Sequence, residues 1–173
     1  MAREIPVTYP LLFLRYAVPC AGTLVKRGTL AQAEWDRLIA AVAAGRAPAG
    51  AERIFKVALA ACSLLAIDSG KQAIDAAVVR QYFRAGHDAV IDARSREMGD
   101  FSPEACRVWA GRVQSVQSGR AVVETPAGLR TCKTDFVDAR VGEWVIVHWD
   151  FLVEPVSAEG AARINTRPGA KKG

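Results

Sequence analysis

The sequence predicts an α+β protein, with an N-terminal helical bundle followed by a small β-barrel. Three observations carry this reading. Apolar residues recur at helical spacing through the first hundred positions, and short β-branched runs bounded by turn residues follow from position 112. The change of pattern falls at Gly99-Asp100-Phe101-Ser102-Pro103. A chain of 173 residues that is 51% hydrophobic has apolar surface enough for one generous domain or two small ones. The expected division is a helical bundle over 1–98, a linker over 99–105, a barrel over 106–160 and a basic, flexible tail over 161–173.

Each helix has its own signal. Thr8 precedes Leu11, Leu12, Phe13, Leu14 and Tyr16, a short apolar helix that Pro19 should stop. Thr29 and Gln32 make a capping-box pattern ahead of Trp35, Leu38, Ile39 and Val42. Positions 45–50, with Pro48 inside, read as a turn. Ile54, Val57, Ala58, Ala61, Leu64 and Leu65 then recur at i+3/i+4. The positions between them are also mostly apolar, which marks this helix as the buried centre of the bundle. After Asp68-Ser69-Gly70, the series Ile74, Val78, Tyr82, Ala85 and Ala89 defines a fourth helix reaching about Arg96. Its charges (Arg80, Arg84, Asp88, Asp92) form a solvated face. Four helices with short connections make a compact bundle.

The β-rich runs are 113–116, 121–124, 129–134 and 144–153, with Ser118-Gly119 and Pro126-Ala127-Gly128 as turns. Strands this close together in about fifty residues imply a closed or nearly closed barrel.

Net charge is +5, but it is unevenly placed. Residues 1–103 hold thirteen basic and ten acidic groups, residues 104–159 six and eight, and residues 160–173 four and none. The barrel segment is therefore slightly acidic, the wrong sign for neutralising phosphates, and nucleic acid is not an expected partner. The basicity belongs largely to the tail, through Arg163, Arg167, Lys171 and Lys172, read as a solvated, solubilising end. Arg15 interrupts the first apolar run, and the longest nearly uncharged run, 57–67, is too short for a membrane span. We expect neither signal peptide nor membrane association, and a cytoplasmic protein with reduced cysteines. No Cys-x-x-Cys, His-Glu-x-x-His, Gly-x-Ser-x-Gly or Walker-type loop occurs, which removes four common chemistries.

The chemically loaded residues are Cys106 and His148, one of four cysteines and one of two histidines. A thiolate and an imidazole can jointly ligate a transition metal. Cys106 opens Cys-Arg-Val-Trp-Ala-Gly-Arg-Val (106–113), and His148 lies in Val-Gly-Glu-Trp-Val-Ile-Val-His-Trp-Asp-Phe (141–151). Both motifs, with Gly128-Leu129-Arg130 between them and Ser157-Ala158-Glu159-Gly160-Ala161 after them, resemble the HypC/HupF family of hydrogenase maturation chaperones. The resemblance covers roughly 106–161. It implies an OB-like β-barrel and a carrier without turnover of its own. It also implies a transient iron cargo bearing cyanide and carbon monoxide ligands, a HypD-type scaffold as one partner and a [NiFe]-hydrogenase large-subunit precursor as the other. Carried over by position, the family cysteine falls on Cys106 and the family histidine on His148. Arg107, Trp109, Arg112 and Trp149 are the candidates for contacting a partner. This chain departs from the family pattern in three ways: its cysteine is internal, Val108 stands where the family has Gly, and Ala110 where it has Pro.

The other readings are a Cys–His dyad enzyme, which would need hydrogen-bond reach between the two groups, and an OB-type scaffolding or nucleic-acid module. Cys20, Cys62 and Cys132 are expected to be structural, and His87 to lie on a helix surface.

Overall fold

A computed structural model describes residues 5–97 and 102–170. The chain divides into two compact units, Met1–Phe83 and Arg84–Gly173.

The first unit is helical. It contains α1 (Pro10–Ala17), α2 (Ala21–Lys26), α3 (Gln32–Ala43), α4 (Lys56–Asp68) and α5 (Ala76–Gln81). Pro19 does interrupt the first helix, as expected, by converting it into the 3-10 turn Val18–Cys20. The core of the unit is aromatic: Phe83 stacks on Tyr16 at 5.1 Å and meets Phe13 edge-on at 5.9 Å. Two expectations fail here. The Thr29–Gln32 capping box does not form; Thr29 turns its hydroxyl back to the Leu24 carbonyl, and α3 starts from Ala31 without a side-chain cap. Nor is α4 a buried centre. Only Cys62 and Ala66 are buried along it, while Val57, Leu64 and Ile67 are exposed. A nearly all-apolar helix hides which stripe faces inward, because between Lys56 and Asp68 only Ser63 is polar.

The expected fourth helix is not one regular helix. After α5 comes a π-helical turn, Tyr82–Gly86, and then α6 (His87–Ser95). A π turn spends one extra residue, so the face following it rotates by about 100°. The periodic series therefore stops predicting burial: Ala85 and Ala89 are exposed, and His87, Asp88 and Ile91 are buried. The boundary between the units also falls inside this turn, earlier than the change of pattern near 98–105, of which residues 98–101 lie outside the described residues.

The second unit is built on five strands: β1 (Trp109–Gln117), β2 (Arg120–Thr125), β3 (Gly128–Lys133), β4 (Trp144–His148) and β5 (Phe151–Pro155). They close into a barrel in the order β1-β2-β3-β5-β4, all pairs antiparallel except β3 with β5. The α+β fold with a small barrel thus stands. The long run 144–153 resolves into two strands separated by Trp149 and Asp150. β1 carries a bulge between Val113 and Ser115, where the β2 register slips, and it pairs with β4 before it and mainly with β2 after it. The barrel core is Val113, Ala121, Val123, Cys132, Val145, Val147 and Leu152. Gly111 is required by a close approach: a Cβ there would run into the Val123 side chain and lie 2.8 Å from the Glu124 carbonyl oxygen.

The segment expected to be a flexible tail from 161 instead continues a helix as far as Asn165. Ser157 caps α8 (Ala158–Asn165), accepting from the Gly160 amide at 3.0 Å. The Asn165 side chain then accepts from the Ala110 backbone N–H at 3.0 Å and donates to the Ala110 carbonyl at 2.9 Å. Ala110 thus uses the backbone N–H that the Pro of the resembled family would lack. Arg167, expected to be solvated, is buried; Lys171 and Lys172 lie outside the described residues.

Candidate functional site

Strand register brings the two motif residues to one end of the barrel. Trp109 pairs with Val147, so the chain entering β1 runs beside the chain leaving β4. Cys106 ends the short helix α7 (Pro103–Cys106), and His148 ends β4. Three hydrogen bonds seat α7. Ser102 Oγ accepts from the Ala105 N–H, Arg130 donates to the Glu104 carbonyl at 2.6 Å, and the Trp149 N–H donates to the Ala105 carbonyl at 3.2 Å. Trp149 makes that bond from a left-handed backbone (φ 53°), a conformation bulky residues seldom adopt. The turn after His148 is thereby tied to the residue before Cys106.

A third group stands beside them. His87, the first residue of α6, places Nε2 3.5 Å from the Cys106 Sγ, and its ring meets that of His148 edge to face, with centroids 5.4 Å apart. The candidate donor atoms of His87, Cys106 and His148 lie within 4.8 Å of one another, and all three residues are buried. Burial disfavours the charged form of His87 and lowers its pKa, against the opposing pull of Cys106. The ring is therefore neutral at neutral pH and keeps a lone pair. A thiol with two imidazoles is a donor set suited to a borderline or soft transition metal. Cys132 is different: burial pushes its thiol up to about 11, as it pushes Cys62 up to about 12. Both behave as packing residues, and no cysteine forms a disulfide.

Charged groups hold α6 in place. Asp88 takes Arg167 in a two-pronged pair, at 2.7 and 3.1 Å, and also faces Arg107 at 3.4 Å. Arg107 donates to Asp92 at 2.5 Å and reaches Glu104 at 3.5 Å. Burial alone would lower the pKa of Arg107, but the Asp92 hydrogen bond and the surrounding carboxylates raise it on balance. Arg167 also lies over the Trp109 ring, 5.0 Å from its centroid. Glu154 on β5 pairs with Arg84 at 2.6 Å.

These contacts redistribute the expected site residues. Cys106 and His148 do come together. Arg107 and Trp109, expected to contact a partner, are both buried, one inside the carboxylate cluster and the other under Arg167. Arg112 is exposed, with its Nε on the Gly142 carbonyl, and Trp149 is half-buried. His87 was expected on a surface and Asp88 and Asp92 on a solvated face; the π turn places His87 and Asp88 inward and Asp92 against Arg107.

Residues 106–166 match the model described as the HupF/HypC family, roughly a third of the chain. The match spans the barrel and α8, consistent with a HypC/HupF-type domain in the C-terminal part. This supports a hydrogenase maturation chaperone role in general, and a helper rather than a catalyst. The match begins at Cys106, leaving His87 outside it. No curated protein and no solved structure matches the chain. Among the described residues, no helix is long and apolar enough to cross a membrane.

Proposed function

We propose that this protein is a cytoplasmic HypC-like carrier that receives an iron unit bearing cyanide and carbon monoxide from a HypD-type scaffold. It passes that unit to a [NiFe]-hydrogenase large-subunit precursor. The observation that carries the reading is the meeting of Cys106 and His148 at one barrel end, inside a segment that matches the HupF/HypC family. Cys106 supplies a soft thiolate to the cargo iron, and His148 a second donor or an orienting hydrogen bond. Few protein ligands suit a carrier, because the cargo must leave again. Strand register holds His148, and the hydrogen bonds from Arg130 and Trp149 hold the helix that carries Cys106, so their spacing does not depend on the partner.

The test is anaerobic co-purification of the full chain with a HypD-type scaffold, followed by infrared spectroscopy of the cyanide and carbonyl stretches. The reading expects those bands on the wild-type chain and their loss in Cys106→Ala. Bands unchanged in Cys106→Ala would overturn it.

A further inference from the structure

We infer that His87 is a third metal ligand, so that His87, Cys106 and His148 together hold a borderline divalent transition-metal ion without protein ligands from a partner. The inference rests on reading the Cys106–His148 end of the barrel as a metal-holding site, and it adds a residue outside the segment that matches the HupF/HypC family.

Geometry is the first argument. In a tetrahedral site with metal–sulfur near 2.3 Å and metal–nitrogen near 2.05 Å, a sulfur and a nitrogen sharing the ion stand about 3.5 Å apart. His87 Nε2 lies 3.5 Å from Cys106 Sγ. The wider set, with His148, closes within 4.8 Å, which small side-chain rotations bring to coordination distance.

Support from the surroundings is the second. Metal-binding imidazoles are normally fixed by contacts beyond the ligands themselves. The helix carrying His87 is anchored at the next residue, Asp88, by Arg167 and Arg107, and at Asp92 by Arg107 again. Arg107 directly follows Cys106 in the chain, so one side chain links the backbone of the thiol to the helix of the imidazole. Asn165 and Arg167, from the end of α8 and just beyond it, hold the other side of the arrangement.

Chemistry is the third. Two imidazoles and one thiol suit zinc, cobalt(II) or iron(II). Binding replaces the S–H bond of Cys106 by a metal–sulfur bond and releases the proton to solvent; both imidazoles bind as neutral donors.

Cobalt(II) is the probe, titrated into the metal-free full chain under reducing, oxygen-free conditions. The inference expects one equivalent to bind, with thiolate-to-cobalt charge-transfer absorption and the visible bands of a tetrahedral ion. It expects His87→Gln to weaken binding at least ~10-fold, with Cys106→Ser abolishing the charge-transfer band. X-ray absorption of the cobalt-loaded wild-type chain should show two imidazoles, a result that does not depend on any variant folding. A single imidazole, or unchanged affinity and spectrum in correctly folded His87→Gln, would overturn the role of His87 while leaving that of Cys106 and His148. No cobalt bound to the wild-type chain would overturn the metal-holding reading itself.

Discussion

The three clustered side chains stand on two supports of opposite physical character. His148 ends barrel strand β4, and Cys106 lies in α7 just before β1; the barrel's register is fixed by backbone pairing and by an apolar interior of Val113, Val123, Val145, Val147 and Leu152. His87 hangs from α6, which the second unit holds through ion pairs among Asp88, Asp92, Arg107 and Arg167. Apolar packing is non-directional and tolerates small losses, because each contact contributes little. A buried ion pair is different: it adds modest net stability when whole, and removing one partner strands a charge in a medium that solvates it poorly. The barrel support should therefore fail gradually and the helix support abruptly.

The largest expected effect follows from that contrast. Asp88→Ala leaves Arg167 buried without its two-pronged partner and takes one carboxylate from Arg107. Removing one member of such a pair costs about 3–5 kcal/mol. Urea unfolding followed by tryptophan fluorescence suits the measurement, since Trp109, Trp144 and Trp149 all lie in the second unit. A loss below ~1 kcal/mol would mean that the ion pairs sit on α6 without holding it.

Next in size is Gly111→Ala. The added methyl must push against Val123 and the Glu124 carbonyl, so β1 and β2 have to separate locally. Overpacking of this kind costs about 1–3 kcal/mol. Hydrogen exchange distinguishes the two supports: Gly111→Ala should speed exchange along β1 and β2, and Asp88→Ala along α6 and α8. Identical exchange patterns would show that the two supports open as one.

The same contrast explains how much of the site is legible in the residues alone. Barrel strands carry their positions in a short local code of β-branched runs and turns, and the two motifs sit at the ends of paired strands. Cys106 and His148 were legible for that reason. His87 was not. Its helix starts after a π turn, and one inserted residue moves the inward face from Ala85 and Ala89 to His87, Asp88 and Ile91. Nothing in the periodicity of 74–82 announces that insertion. The signal available was indirect: Asp88 and Asp92, one helical turn apart, match Arg107 and Arg167 in charge, but pairing them needs the fold of the chain. Arg167 is illegible for a related reason, since a run of cations in a Gly/Pro-containing stretch looks solvated until the fold brings a buried carboxylate to face it.

The smallest effect sharpens that last point. Arg163 and Arg167 are the same residue type, four positions apart, in a stretch with no acid after Glu159. Arg163 pairs with Glu159 on the same helix, and both side chains are about three-quarters exposed. Such an i,i+4 pair contributes about 0.3–0.5 kcal/mol, and water screens it. Arg163→Ala loses that pair but keeps a strong helix former, so its cost should stay below ~0.5 kcal/mol. Arg167→Ala, by contrast, leaves Asp88 buried without its two-pronged partner and uncovers Trp109, and belongs with the losses of several kcal/mol. Both are read in the same urea unfolding. Equal costs for the two variants would show that the burial of Arg167 adds nothing, and the electrostatic support of α6 would have to be sought in Arg107 alone.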